Sequence, residues 1–145
     1  MDIINEINLT VSSKSINEAF CRVVISAFVS SLDPTIEELS DLKTAVSEAV
    51  TNSIVHGYKD SVGKIYINAR IIADGRIIIK IKDRGEGIKN IKEAMTPLFT
   101  TGDSDRAGLG FTVMESFCDK VKVYSTYKKG TTVVLTKKIT GHSVW

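Results

Sequence analysis

The chain has almost no excess of charge of either sign: 19 Lys plus Arg against 17 Asp plus Glu leave +2. A field that weak excludes the long-range attraction that draws proteins to nucleic acid or an anionic membrane, so any partner is recognised locally. Cysteine is scarce. Cys21 and Cys118 stand singly in apolar patterns, with no CxxC and no histidine at metal spacing. Neither a zinc site nor a disulfide framework is therefore encoded, and both read as buried free thiols of a reducing cytosol. Met1-Asp2-Ile3-Ile4-Asn5-Glu6 lacks the basic region and apolar run of a signal peptide. The longest apolar stretch, Val23 to Val29, is interrupted by Ser26 and far too short to span a bilayer. A soluble cytoplasmic protein is expected, with no direct contact to nucleic acid or membrane. Repeats and low-complexity segments are absent, and only Gly141 to Trp145 reads as a loose tail. The 145 residues read as one domain, 1–145, able to bury a core without metal or disulfide.

What is present is periodic. Ile3, Ile7, Leu9 and Val11 predict an opening strand, and Ile16, Phe20, Val23, Val24, Ala27 and Phe28 a helix within 13–32. Asp33-Pro34-Thr35-Ile36-Glu37-Glu38 starts a second helix, either with Pro34 at its first position or through a Thr35/Glu38 capping box. That helix runs to about His56, with Gly57 as a left-handed stop. Lys64 to Ile72 and Arg76 to Lys82, rich in Ile, flank Asp74-Gly75 and predict a central hairpin. Asp83 to Ala107 reads as a long functional loop with a short turn at Ile91 to Met95. A helix follows from about Gly108 to Phe117, then strands over Lys120 to Tyr127 and Thr131 to Lys137. This order predicts an α/β (α+β) two-layer sandwich: a mixed, mainly antiparallel sheet covered on one face by helices.

Three pieces carry the chemistry. Glu48 and Asn52 lie one helical turn apart, with His56 a turn further, on a polar strip of the second helix. An Asn oxygen suits Mg²⁺ held mainly by phosphate and water, and a nearby Glu can accept a hydroxyl proton; a solvated helix face is the plainer alternative. Asp83-Arg84-Gly85-Glu86-Gly87 puts an ionisable group at the end of an Ile-rich strand, followed by glycines that let backbone approach a ligand closely. Gly108-Leu109-Gly110-Phe111 is read as opening a helix whose first amides can bind phosphate. Asn90 and Val113 stand where a third glycine would complete a Rossmann fingerprint. Gly57 to Ile65 imitates a P-loop but has one residue too many between glycines, Ile65 in place of Ser or Thr, and a strand behind it.

In order and spacing these pieces resemble the N box and two glycine boxes of the GHKL ATP-binding family, which includes gyrase, heat-shock chaperones, histidine kinases and MutL. Leu32-Asp33-Pro34-Thr35, Val46 to Asn52, His56-Gly57-Tyr58 and Gly108 to Glu115 are most similar to the sporulation branch of the bacterial anti-sigma factor serine kinases. The resemblance implies the two-layer fold, ATP and Mg²⁺ as cofactors, and a homodimer. Such a dimer holds a sigma factor inactive and phosphorylates a serine of an anti-anti-sigma partner. It implies Glu48 as base, Asn52 as Mg²⁺ ligand, and Asp83 as acceptor from the adenine amino group. Gly85, Gly87, Gly108 and Gly110 would approach the nucleotide, and Thr131 would back Asp83. Pro97 to Arg106 matches a short ATP lid, with Thr100 and Thr101 at the nucleotide, although Gly102 stands where relatives often have Lys. Arg106 is either the cation that offsets charge on the transferred phosphoryl group or a solvated loop residue. Arg22 matches a first-helix arginine of the partner surface. Three alternatives stay open. One is an ATP-gated sigma-binding module without transferase activity, and another a stress-response sigma-B regulator. The third is a detached histidine-kinase domain, against which stand the two histidines, His56 and His142, neither in a separate helical hairpin.

Overall fold

The computed structural model describes residues 2–95 and 104–141, with 104–109 described for their backbone alone. Pro97 to Asp103, and with them Thr100 and Thr101, lie outside the described residues, as does the Arg106 side chain. Strand β1 (Ile3–Ser12) turns Ile7, Leu9 and Val11 toward the core and leads into helix α1 (Ile16–Val29). Helix α1 buries Cys21, Ile25 and Val29 at four-residue spacing. A 3-10 turn at Ser30–Leu32 and Asp33 at φ 50° reverse the chain into helix α2 (Ile36–Asn52).

Of the two predicted starts, the capping box forms: Glu38 N donates to Thr35 Oγ1 (3.1 Å) and Thr35 N to Glu38 Oε1 (2.9 Å). Left-handed Asp33 is thereby excluded as the N-cap. Helix α2 buries Leu42, Ala45, Val46, Ala49 and Val50 and ends in a π turn over Ser53–Gly57. Gly57 is not the left-handed stop expected, because its φ is not positive. It is required by packing, as described below.

Strands β2 (Lys64–Ile72) and β3 (Arg76–Asp83) form the predicted hairpin, with Gly75 at φ 92° in the turn. Ile65, Ile67, Ile71, Ile77, Ile79 and Ile81 alternate onto the helix-covered face. Each fully buried isoleucine contributes roughly 1.5–3 kcal/mol, so this hairpin dominates the core. After α3 (Ile91–Met95) and α4 (Ser104–Phe117), strands β4 (Lys120–Thr126) and β5 (Gly130–Lys138) complete a sheet of order β1-β2-β3-β5-β4.

Among the described residues every strand pairing is antiparallel, where a mixed, mainly antiparallel sheet was expected. The helical connection does return β4 parallel to β3, but β5 pairs with both and lies between them. Among the described residues no helix is long and apolar enough to cross a membrane. Burial pushes the thiols of Cys21 and Cys118 up to about 11, so both are protonated and unreactive at neutral pH.

Gly141, expected in a loose tail, is anchored. Its amide donates to Glu38 Oε1 (3.0 Å), and Thr140 N and Oγ1 donate to Glu38 Oε2 (2.8 and 3.0 Å). Burial raises the Glu38 pKa, but these bonds and that from Thr35 outweigh it and hold the carboxyl down to about 2 from 4.5. An acid depressed on folding stabilises the fold above its unfolded pKa and loses that contribution as pH falls through the folded one. Thermal unfolding should therefore show Glu38→Gln less stable than wild type at pH 6, with the gap closing between pH 4.5 and about 2. A gap independent of pH would assign the loss to packing.

Candidate functional site

The site grows from the end of β3, where the Ile-rich strand stops at Asp83 beneath the C-terminus of α2. Asp83 is 4% exposed. Ser53 Oγ donates to its Oδ2 (2.8 Å), Gly85 N to its Oδ1 (3.0 Å), and the Thr131 amide, opposite Asp83 in the β3–β5 register, is a third donor. Burial raises the Asp83 pKa more than the donors lower it. A buried carboxylate held by three donors is a rigid acceptor with one edge left for a ligand.

Close approach explains the glycines around it. A Cβ on Gly57 would sit 3.0 Å from the Asp83 carboxylate, and one on Gly85 would run into the Gly57 carbonyl. Gly87, at φ 74°, has no room for a Cβ beside the Thr126 carbonyl. The second motif is thus a backbone fitted against α2's end on one side and the β4–β5 turn on the other. Ile88 N donates to Ser125 Oγ (2.7 Å) and Lys128 N to the Glu86 carbonyl, which fixes the loop's far end.

The third motif meets the first rather than opening a helix. Among the described residues helix α4 runs from Ser104, so Gly108 and Gly110 are its fifth and seventh residues, and their amides are not the terminal ones. Gly110 instead lets α4 approach α2: a Cβ there would lie 3.2 Å from Glu48 Oε2 and 3.3 Å from the Asn52 amide. Phe111 and Met114 anchor this face of α4 in the core.

Asn52, His56, Asp83, Gly87, Phe111 and Thr131 line one cavity of about 40 Å³ between these elements. Among the described residues Asn52 Nδ2 is buried without a hydrogen-bond partner, an orphan donor at the cavity wall that a bound acceptor would satisfy. Thr131 meets Asp83 from the adjacent strand through its amide, while its hydroxyl lies 2.8 Å from Ser125 Oγ. The hydroxyl that holds Asp83 is Ser53, which sequence reasoning missed; its one signal was its place directly after Asn52. Arg22 lies on α1 away from the cavity, where Glu18 binds its Nε (2.9 Å) and also meets Ser47 Oγ. It nevertheless shares a surface groove with Lys43, Ser47 and Glu48. The structure thus brings Glu48, Asn52 and Gly110 together, sets Asp83, Gly87 and Thr131 around the cavity that Asn52 lines, keeps Gly85 off that cavity against Gly57, and puts Arg22 one groove away.

A buried carboxylate at a strand end, a glycine-built loop and an α2 polar strip facing α4 define a class of domain, and residues 12–137 match the family model of the histidine kinase-like ATPase domain. Such a domain binds ATP, and Mg²⁺ is its usual companion. The chain belongs more narrowly to the anti-sigma F factor family. It is 53% identical over 140 residues to the anti-sigma F factor of Thermoanaerobacter sp. (strain X514), covering 96% of this chain and 97% of that one. It is 54% identical over 138 residues to that of Geobacillus sp. (strain WCH70), covering 94% of each. The match to the Clostridium perfringens (strain SM101) factor is 50% over 136 residues, covering 93% and 97%.

Solved structures share the fold. A structure of the RsbU and RsbW domains of a Mycobacterium tuberculosis protein superposes with TM-score 0.69 at 20% identity over 93% of this chain, which spans 32% of that one. The histidine kinase domain of the Erythrobacter litoralis EL346 blue-light activated kinase gives TM-score 0.52 at 13% identity, covering 84% and 61%.

Proposed function

We propose that this single-domain chain, as a homodimer, inhibits a sporulation sigma factor and, with Mg-ATP, phosphorylates a serine of an anti-anti-sigma partner. The observation that carries the proposal is that Asn52 lines the cavity together with Asp83 and also meets Gly110 beside Glu48, one helical turn away. Asp83 accepts from the adenine amino group, with Gly87 at the cavity wall and Gly85, packed against the Gly57 carbonyl, holding the loop that carries it. The cavity admits an edge of the base, so ribose and phosphates extend past Asn52 toward Glu48 and α4.

Among the described residues no group of three or more His, Cys, Asp or Glu side chains is placed to hold a metal ion. That fits a cation ligated mainly by phosphate oxygens, with Asn52 as the protein ligand. Mg²⁺ would neutralise phosphate charge. Glu48 accepts the serine proton as the serine oxygen bonds the γ-phosphorus and the bond to the bridging oxygen breaks, leaving ADP. Thr100 and Thr101 act from the lid and Gly108 from the second glycine box, and Arg106 offsets charge on the phosphoryl group in flight.

Helix α1 supplies the partner face. Ile16, Phe20 and Val23, at i, i+4 and i+7, are 76%, 49% and 65% exposed, an apolar stripe beside Arg22. Arg22→Glu should weaken sigma binding roughly tenfold or more by reversing a charge at the interface. ATP affinity should be unchanged, because Arg22 does not border the cavity. Pull-down of the sigma factor alongside ATP titration checks both; undiminished pull-down removes Arg22 from the partner surface. The activity itself is tested by incubating the protein with Mg²⁺, γ-labelled ATP and the anti-anti-sigma partner. Label should appear on a serine of the partner. ATP binding and sigma retention without label would establish the ATP-gated binding module instead.

A further inference from the structure

Three consecutive backbone amides, at Arg84, Gly85 and Glu86, each have a dedicated acceptor. Gly85 N binds Asp83 Oδ1 (3.0 Å), Glu86 N binds the Gly57 carbonyl (2.7 Å), and Arg84 N binds the hydroxyl of Tyr58 (2.7 Å). The Tyr58 hydroxyl in turn donates to the Lys64 carbonyl (2.7 Å), so its one proton and an acceptor position are both committed. Its ring packs against Gly63, where a Cβ would collide with it. The Tyr58 amide binds the Ser53 carbonyl (2.9 Å), and Ser53 Oγ is the donor to Asp83 Oδ2. Tyr58 therefore reaches both carboxylate oxygens, one through Arg84 and Gly85 and the other through Ser53, without touching the cavity itself.

We infer that Tyr58 is a positioning residue for adenine selectivity: its hydroxyl fixes the Arg84–Glu86 backbone and so the orientation of Asp83. The inference rests on Asp83 as the acceptor for the adenine amino group. Without the hydroxyl, Arg84 N loses its acceptor and the amide beside it, Gly85 N, loses the frame that aims it at Oδ1. A misaligned charged acceptor forfeits discrimination between a ligand that carries the amino group and one that lacks it. Phosphate contacts, made from α2 and α4, are untouched. The phenol ring over Gly63 is retained in Tyr58→Phe, so packing is preserved.

The test is calorimetric titration, with Mg²⁺, of wild type, Tyr58→Phe and Gly63→Ala with ATP and with purine riboside triphosphate, which lacks the 6-amino group. Wild type should prefer ATP. Tyr58→Phe should lose about tenfold in ATP affinity and less than about twofold for the analogue, the worth of one misaligned bond to a charged group. Gly63→Ala, which pushes the ring aside, should shift the same ratio. The transfer rate at saturating ATP should stay at the wild-type value. Equal losses for both ligands, or no loss, would overturn the inference and leave Tyr58 a packing residue. A wild type that does not distinguish the two ligands would overturn the Asp83 reading itself, and the inference with it.

Discussion

Replacing Glu48 by glutamine should leave ATP bound and the sigma factor held, while phosphate transfer falls on the order of a hundredfold to ten-thousandfold. A serine hydroxyl is a poor nucleophile until its proton has an acceptor, and glutamine keeps the size and hydrogen bonding of Glu48 without its basicity. The substitution is also sterically quiet, because Glu48 faces the open side of Gly110, where α4 presents no side chain. Asn52→Ala, one turn on, should behave differently: it removes the proposed metal ligand, so Mg-ATP binding falls together with transfer. Single-turnover transfer of labelled phosphate, measured at saturating ATP, separates the two variants. Transfer by Glu48→Gln at close to the wild-type rate would shift the chemistry to the metal and Arg106.

Asp83→Asn should weaken ATP binding on the order of a hundredfold, and lower both sigma retention and transfer through that loss. Three donors converge on this carboxylate, from Ser53, Gly85 and Thr131. An amide offers one oxygen where the carboxylate offers two, and turns an N–H toward a donor already in place. The remaining oxygen is then claimed by the protein or pointed away from the base. Circular dichroism of the variant should remain that of the wild type, since the substitution leaves every isoleucine of the β2–β3 core in place. Loss of ordered structure would make Asp83 a folding residue before a binding one.

Much of this arrangement was legible in the chain because it rests on local patterns. Alternating isoleucines around Asp74-Gly75 specify β2 and β3, and Thr35 with Glu38 specifies where α2 starts. What was not legible depends on contacts between distant positions. Ser53 reaches Asp83 across 30 residues, Tyr58 reaches Arg84 across 26, and Ser125 reaches Ile88 across 37. A lone serine or tyrosine does not announce its acceptor. Glycine was misread twice for a related reason. Gly57 suggested a left-handed stop and Gly110 a helix start, yet at each a Cβ would stand only 3.0 to 3.3 Å from side chains of another chain segment. A sequence shows that a side chain is missing and not which neighbour excludes it. The insertion of β5 between β3 and β4 is likewise a matter of sheet order, which no strand's own pattern encodes.

Whether Asp83, at the end of its strand, reads adenine is met directly by one measurement. Wild type and Asp83→Asn are titrated calorimetrically with ATP and with GTP, each with Mg²⁺. A carboxylate accepts from the 6-amino group of adenine and meets a carbonyl in guanine, so wild type should bind ATP at least about tenfold more tightly than GTP. Asp83→Asn should lose most of that difference. Equal affinity of wild type for the two nucleotides, or an unchanged preference in Asp83→Asn, would contradict the assignment.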